Sequence, residues 1–143
     1  MLKRLVIVFL LSQAAGCGKP IPPRISAHPV SGKVFFDGKP ATRAEVSLRA
    51  ITPFTEPSGK PILPYGKVAE DGSFQIGTYE SSDGAPVGEY TVTIVWPKVT
   101  IEGGEESIGP DQLQGRYNDP QRPIAKVVVK EGNNEIPPIQ LKR

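Results

Sequence analysis

Glu89-Tyr90-Thr91-Val92-Thr93-Ile94-Val95-Trp96 is the stretch whose reading decides the fold. Tyr90, Val92, Ile94 and Trp96 fall on one side of a two-residue period, with Thr91 and Thr93 on the other. Successive side chains of an extended chain point to opposite faces, so the pattern predicts a half-buried β-strand over 89–96. Its β-branched and aromatic residues suit a pleated surface. The same period recurs outward. Val30, Gly32, Val34 and Phe36 alternate with Ser31 and Lys33, and Ala44, Val46, Leu48 and Ala50 alternate with Glu45, Ser47 and Arg49. Further strands are predicted over 66–69, 74–78, 125–130 and 136–141. Asp37-Gly38-Lys39-Pro40, Asp71-Gly72 and Gly132-Asn133-Asn134 supply turns between them. Pro137-Pro138 breaks the last ladder and puts that strand at an edge or bulge. Seven short strands separated by turn signals predict an all-β fold, a seven-stranded antiparallel β-sandwich over 30–143.

Composition agrees. The chain has 143 residues with 16 Pro and 15 Gly. Prolines at that density exclude long helices, because each lacks an amide donor and clashes with the preceding turn. The 38% hydrophobic content is enough for a small core. One His, one Cys and one Met leave little material for metal or nucleophile chemistry. No metal and no cofactor is expected. Residues 51–64, 79–88 and 98–123 read as loops, the last polar, with a short helical turn near Asp111–Gln114.

The first 17 residues differ from the rest. Lys3 and Arg4 precede the apolar run Leu5–Leu11, and small residues Ala14-Ala15-Gly16 lead to Cys17. Charge, apolar stretch and small residues in that order are the features of a secretory signal. The run is shorter than the ~20 residues a transmembrane helix needs. Ala14-Ala15-Gly16-Cys17 resembles the lipobox of bacterial lipoproteins. That resemblance implies cleavage before Cys17, thioether lipidation of its thiol and acylation of the new amine. It divides the chain into a signal peptide over 1–16, a lipidated Cys17 with a Pro-rich tether over 17–29, and a domain over 30–143. Gly18 stands where some inner-membrane lipoproteins carry Asp, which by resemblance points to the outer membrane of a bacterial cell envelope. At ~3.1 Å per residue the tether would reach about 30–35 Å from the bilayer. The 17 basic residues include Lys3 and Arg4, so a chain without its first 16 residues balances its 15 acidic ones. A nucleic-acid partner needs a clustered basic footprint, and the sequence offers none.

A second resemblance rests on Val30-Ser31-Gly32-Lys33-Val34-Phe35-Phe36-Asp37-Gly38-Lys39-Pro40, Glu70-Asp71-Gly72-Ser73-Phe74 and Pro86-Val87-Gly88-Glu89-Tyr90-Thr91-Val92. Their order and spacing resemble carboxypeptidase-regulatory-like, transthyretin-like (prealbumin-like) domains. With Arg116-Tyr117-Asn118-Asp119-Pro120 and the lipobox, the whole is similar to small secreted lipoproteins common in planctomycetes. The resemblance implies a non-catalytic structural or protein-interaction module whose partner is an envelope protein. A glycan- or small-ligand-binding module at the cell surface is the alternative. The same fold also hosts 5-hydroxyisourate hydrolase, which uses separated histidines, an arginine and a terminal Tyr-Arg-Gly-Ser. This chain has one histidine and ends Gln140-Leu141-Lys142-Arg143.

Few residues invite a chemical role. His28 reads as a solvated linker histidine. Glu102, Glu105, Glu106 and Asp111 could offer oxygens to calcium but lack the spacing of a calcium loop. The loop Arg116-Tyr117-Asn118-Asp119 reads either as a docking surface or as a turn that packs Tyr117 and launches the next strand. Trp96 reads as core or, with Tyr65 and Tyr79, as an aromatic platform if the three are exposed together. Cys17→Ser is expected to abolish labelling of the chain by radioactive palmitate and to block its maturation. Unchanged labelling contradicts the anchor.

Overall fold

The computed structural model describes residues 24–143, so the expected signal peptide, Cys17 and most of the tether lie outside the described residues. All regular structure among the described residues is β. In chain order the strands are β1 (Ala27–His28), β2 (Val30–Phe36), β3 (Lys39–Pro40), β4 (Glu45–Ala50), β5 (Tyr65–Lys67), β6 (Ser73–Gln75) and β7 (Ala85–Pro86). They continue as β8 (Gly88–Val95), β9 (Pro97–Glu102), β10 (Glu105–Asp111), β11 (Ala125–Val129), β12 (Asn134–Glu135) and β13 (Ile139–Leu141).

β8 grows from the stretch that decided the reading. It sits second in a four-stranded sheet of order β11-β8-β4-β5, every pair antiparallel. A second sheet forms around β2, which pairs with β3, β6, β12 and β13. Inward residues of both sheets meet in one core. Val30, Val34, Phe74, Ile139 and Leu141 come from the β2 sheet, and Val46, Leu48, Tyr90, Val92, Ile94 and Val129 from the other. Burial of these apolar side chains is the main favourable term in folding such a chain.

Tyr90 lies at the centre. Its ring is fully buried and tilted against Phe54, with centroids 5.9 Å apart. Its hydroxyl donates to the Pro86 carbonyl at 2.7 Å, which satisfies two buried polar groups at once.

Four sequence expectations need correction. β8 is not half-buried, because Thr91 and Thr93 are buried too. β8 lies inside its sheet between β11 and β4, with Thr91 between Arg49 and Lys126 and Thr93 beside Ser47. The Thr93 hydroxyl has no hydrogen-bond partner. The ladder is also not purely antiparallel. β12 and β13 run parallel to β2, since the chain leaves β11 in one sheet and returns in the other without a hairpin. Pro137-Pro138 does split that returning segment in two, as expected from a residue without an amide donor.

The third correction concerns the first part of 98–123, a stretch expected to be a polar loop. It is a β9–β10 ribbon closed by Gly103-Gly104, both with positive φ (61° and 86°). That pair of angles suits a two-residue hairpin turn, which glycine adopts without strain. After it, residues 112–117 form successive tight turns and no helix. Finally, the tether does not run free as far as Pro29. β1 pairs with β7, and His28 is half-buried with its Nδ1 accepting from the Gly132 amide at 3.2 Å.

Tyr90→Phe keeps the ring but strands the Pro86 carbonyl, and is expected to cost about 1–3 kcal/mol in a urea melt. A melt equal to the parent's contradicts this. Burial also pushes the Tyr90 hydroxyl up to about 12 from its ordinary 10.0. The unfolded chain therefore releases this proton first. The stability it confers is whole below pH 10 and is lost as pH rises towards 12. Tyrosinate absorbance should show Tyr90 ionising only with alkaline unfolding.

Candidate functional site

The rims of the two sheets touch at Gly66, in the middle of β5. A Cβ there would overlap the Gln75 carbonyl oxygen of β6, so only glycine lets the backbones approach this far. Beyond that contact Tyr65 and Gly77 exchange backbone hydrogen bonds of 3.1 and 2.9 Å. The close approach leaves a groove of about 840 Å³ across the β5–β6 corner. Its lining includes Tyr65, Tyr79, Gln75, Lys33, Lys67, Glu80 and Glu135.

Each wall has a local cause. Asp83 shapes the loop that carries Tyr79. Its carboxylate accepts from the backbone amides of Thr78 at 2.6 Å, Tyr79 at 3.1 Å and Glu80 at 3.2 Å. The Thr78 hydroxyl donates to the Gly84 carbonyl at 2.6 Å and closes the loop. Tyr79 is held from the N-terminal side. Its hydroxyl accepts from the Ile25 amide at 3.1 Å, and the Arg24 guanidinium lies 5.1 Å from its ring centroid. Arg24 also reaches Glu80 at 3.4 Å. Tyr65 is 54% exposed, and Lys33, Gln75 and Glu135 are exposed beside it. At the neighbouring turn, Ser73 donates to Asp71 through hydroxyl and amide, which holds the Asp71 carboxyl below its ordinary 3.8.

The groove joins two of the three aromatic candidates and leaves out the third. Trp96 is half-buried, tilted against Phe36 with centroids 5.3 Å apart, and its indole donates to the Thr42 carbonyl at 2.9 Å. It packs the other end of β8 and does not line the groove. Lys33, Gln75 and Glu135 escaped sequence reasoning. Each occupies a polar position of a strand, where its only signal was an ordinary solvated face.

Tyr117 packs inward. It is half-buried against the core, its carbonyl accepts from the Ile94 amide at 2.8 Å, and its hydroxyl bonds both the amide and the carbonyl of Lys142 at 3.1 Å. Arg116 and Asn118 are exposed. Asp119 accepts from Arg122 Nε at 2.9 Å and from the Gln121 amide, and the arginine holds its carboxyl below the usual range.

Glu102, Glu105, Glu106 and Asp111 are engaged separately. Glu102 and Glu105 flank the ribbon tip, and Glu106 pairs with Arg43 at 2.9 Å. Asp111 turns inward to the backbone, accepting from the amides of Trp96 (2.9 Å), Leu113 (3.1 Å) and Gly115 (2.8 Å). Among the described residues no group of three His, Cys, Asp or Glu side chains has metal-binding geometry.

No family model matches the chain, and no curated protein does. Among solved structures, a 9R-lipoxygenase from Cyanothece aligns at 12% identity and a TM-score of 0.42. That alignment covers 81% of this chain but only 16% of the lipoxygenase. A candidate carbohydrate-binding protein from Pseudomonas aeruginosa aligns at 11% identity and a TM-score of 0.44, over 85% of this chain and 92% of the other. Likenesses this distant assign neither family nor activity.

Asp111→Ala removes the acceptor that holds three amides in place. Hydrogen exchange at Leu113 and Gly115 is expected to accelerate by about tenfold or more, since a hydrogen bond to a charged group is worth ~1.5–3 kcal/mol. Unchanged exchange contradicts the clamp.

Proposed function

We propose that this chain is a non-catalytic, lipid-anchored protein of the bacterial cell envelope whose domain binds a surface saccharide in the Tyr65–Tyr79 groove. The anchor rests on Lys3 to Cys17, whose order of charge, apolar run, small residues and cysteine suits export and acylation. Two or more acyl chains hold a protein stably on a bilayer, because each buried methylene contributes ~0.8 kcal/mol. The outer membrane is the proposed site. We take the domain as a transthyretin-like sandwich of seven principal strands, with the β9–β10 ribbon as an addition to it. The motif order from Val30 to Val92 supports this, as does the meeting of two sheets around one core.

The observation that carries the binding function is the pairing of Tyr65 and Tyr79 in one concavity with exposed Lys33, Gln75 and Glu135. A sugar ring offers an apolar C–H face to an aromatic ring. Its hydroxyls donate and accept, so they need a mixed set of partners. Tyrosine rings provide the first, and an amide, an ammonium and a carboxylate provide the second. Binding sites generally combine such a concavity with a few convergent polar groups.

Titration of the full chain with a panel of neutral bacterial envelope oligosaccharides, followed through its aromatic 1H–13C NMR signals, tests the proposal. A bound saccharide is expected to perturb the Tyr65 and Tyr79 rings. Tyr65→Ala should weaken binding about fivefold to tenfold with an unaltered melt, as the loss of one aromatic contact predicts. If no saccharide moves either ring, or the variant binds as well as the parent, the groove is not the site.

A further inference from the structure

A second concavity shares no lining residue with the tyrosine groove. It has a volume of about 830 Å³ and lies between the turns over 112–122 and the final residues. Arg116, Arg122, Lys142 and Arg143 line it together with Gln112 and Gln114. Four cations in one hollow are a strong concentration for a chain that carries only 17 basic residues against 15 acidic ones. Asp119 is the carboxylate bonded among them, and it engages Arg122 through Nε, which leaves the outer nitrogens of that guanidinium unbound by it.

The hollow is built. The Tyr117 hydroxyl, bonded to both the amide and the carbonyl of Lys142, ties the last segment to the turns. Arg116 Nη1 reaches the same Lys142 carbonyl at 3.5 Å. Arg143 lies over the Phe36 ring at 6.0 Å from its centroid, and the Asp111 clamp fixes the first of the turns. The backbone that carries these cations is therefore held in place before any ligand arrives, which reduces the ordering cost of binding.

From this arrangement we propose that the Arg116–Arg122–Lys142–Arg143 hollow binds a phosphate monoester. Guanidinium forks match phosphate oxygens two at a time, and the lysine adds a compact charge. With Asp119 offsetting one arginine, the remaining positive charge suits a dianion better than a single carboxylate. Gln112 and Gln114 supply neutral donors and acceptors to whatever carries the phosphate. A sugar phosphate and a lipid headgroup phosphate present the same group, and the test separates them.

The full chain, purified in neutral detergent, would be titrated with inorganic phosphate while the arginine Nε–Hε signals are followed by NMR. Signals of Arg116 and Arg122 are expected to shift saturably, and added sodium chloride should weaken the effect. The double variant Arg116→Gln, Arg122→Gln should bind about tenfold or more weakly, as expected for lost charge-assisted bonds. Lys126→Gln, outside the hollow on β11, should bind as the parent does. If the double variant fails to fold, Arg122→Gln alone serves, because that side chain is 86% exposed. Glucose 6-phosphate and phosphatidylcholine vesicles with or without phosphatidic acid then identify the carrier. Preference for the sugar ester assigns a soluble or polymeric phosphate, and preference for the acidic vesicles assigns a headgroup. Absence of a shift at millimolar phosphate, or equal weakening by Lys126→Gln, overturns the proposal. Neither result touches the tyrosine groove, whose variants are read separately.

Discussion

The contact between Gly66 and the Gln75 carbonyl is the constraint on which the rest of the site depends. Two sheets that share a core face to face are usually held apart by side chains. Here they meet backbone to backbone, because β5 presents a residue with no side chain to the β6 carbonyl. A single methyl group would force the rims apart. Their separation would remove the Tyr65–Gly77 bridge and turn a walled groove into an open face. The concavity is thus a consequence of how the sheets close. It is not a separate structure laid upon them.

Packing elsewhere keeps that closure in register. Tyr90 locks β8 to the segment around Pro86, and β7 in turn holds β1. Docking of β1 delivers Ile25 and Arg24 to Tyr79. A chain of ordinary contacts therefore runs from the buried centre of the core to the groove wall. At the other end of β8, Trp96 and Asp111 do the equivalent service for the turns that carry the arginines. One central strand positions both concavities.

Much of the fold was legible in the sequence, and the parts that were not share a physical cause. Two-residue periodicity reports a strand with one wet face, so Val30–Phe36 and Glu45–Ala50 could be read directly. It misreports a strand in the middle of a sheet, where threonines of the outer face are buried between neighbouring strands, as at Thr91 between Arg49 and Lys126. It is also silent for a ribbon wet on both faces. Residues 100–108 carry no inward stripe, and the prolines and glycines of the ribbon imitate a loop. Parallel return of β12 and β13 could not be read, because strand direction depends on a crossover between sheets and leaves no local mark. At the candidate sites, sequence singled out Tyr65, Tyr79 and the Arg116–Asp119 loop, but it could not say which would meet. Tyr65 and Tyr79 were brought together by Gly66, and Arg116 by a tyrosine that pins the last segment. Both are long-range backbone events.

The most direct measurement of the central claim is native-state hydrogen exchange on Gly66→Ala. Exchange at the Tyr65 and Gly77 amides should speed up markedly, and by far more than at the Val92 and Ile94 amides at the centre of β8, which follow only the fall in global stability that a lower melting temperature reports. That pattern would place the cost at the sheet rims and nowhere else. Protection at Tyr65 and Gly77 equal to the parent's, with an unchanged melt, would mean that the rims tolerate a side chain there. The groove would then have some other origin.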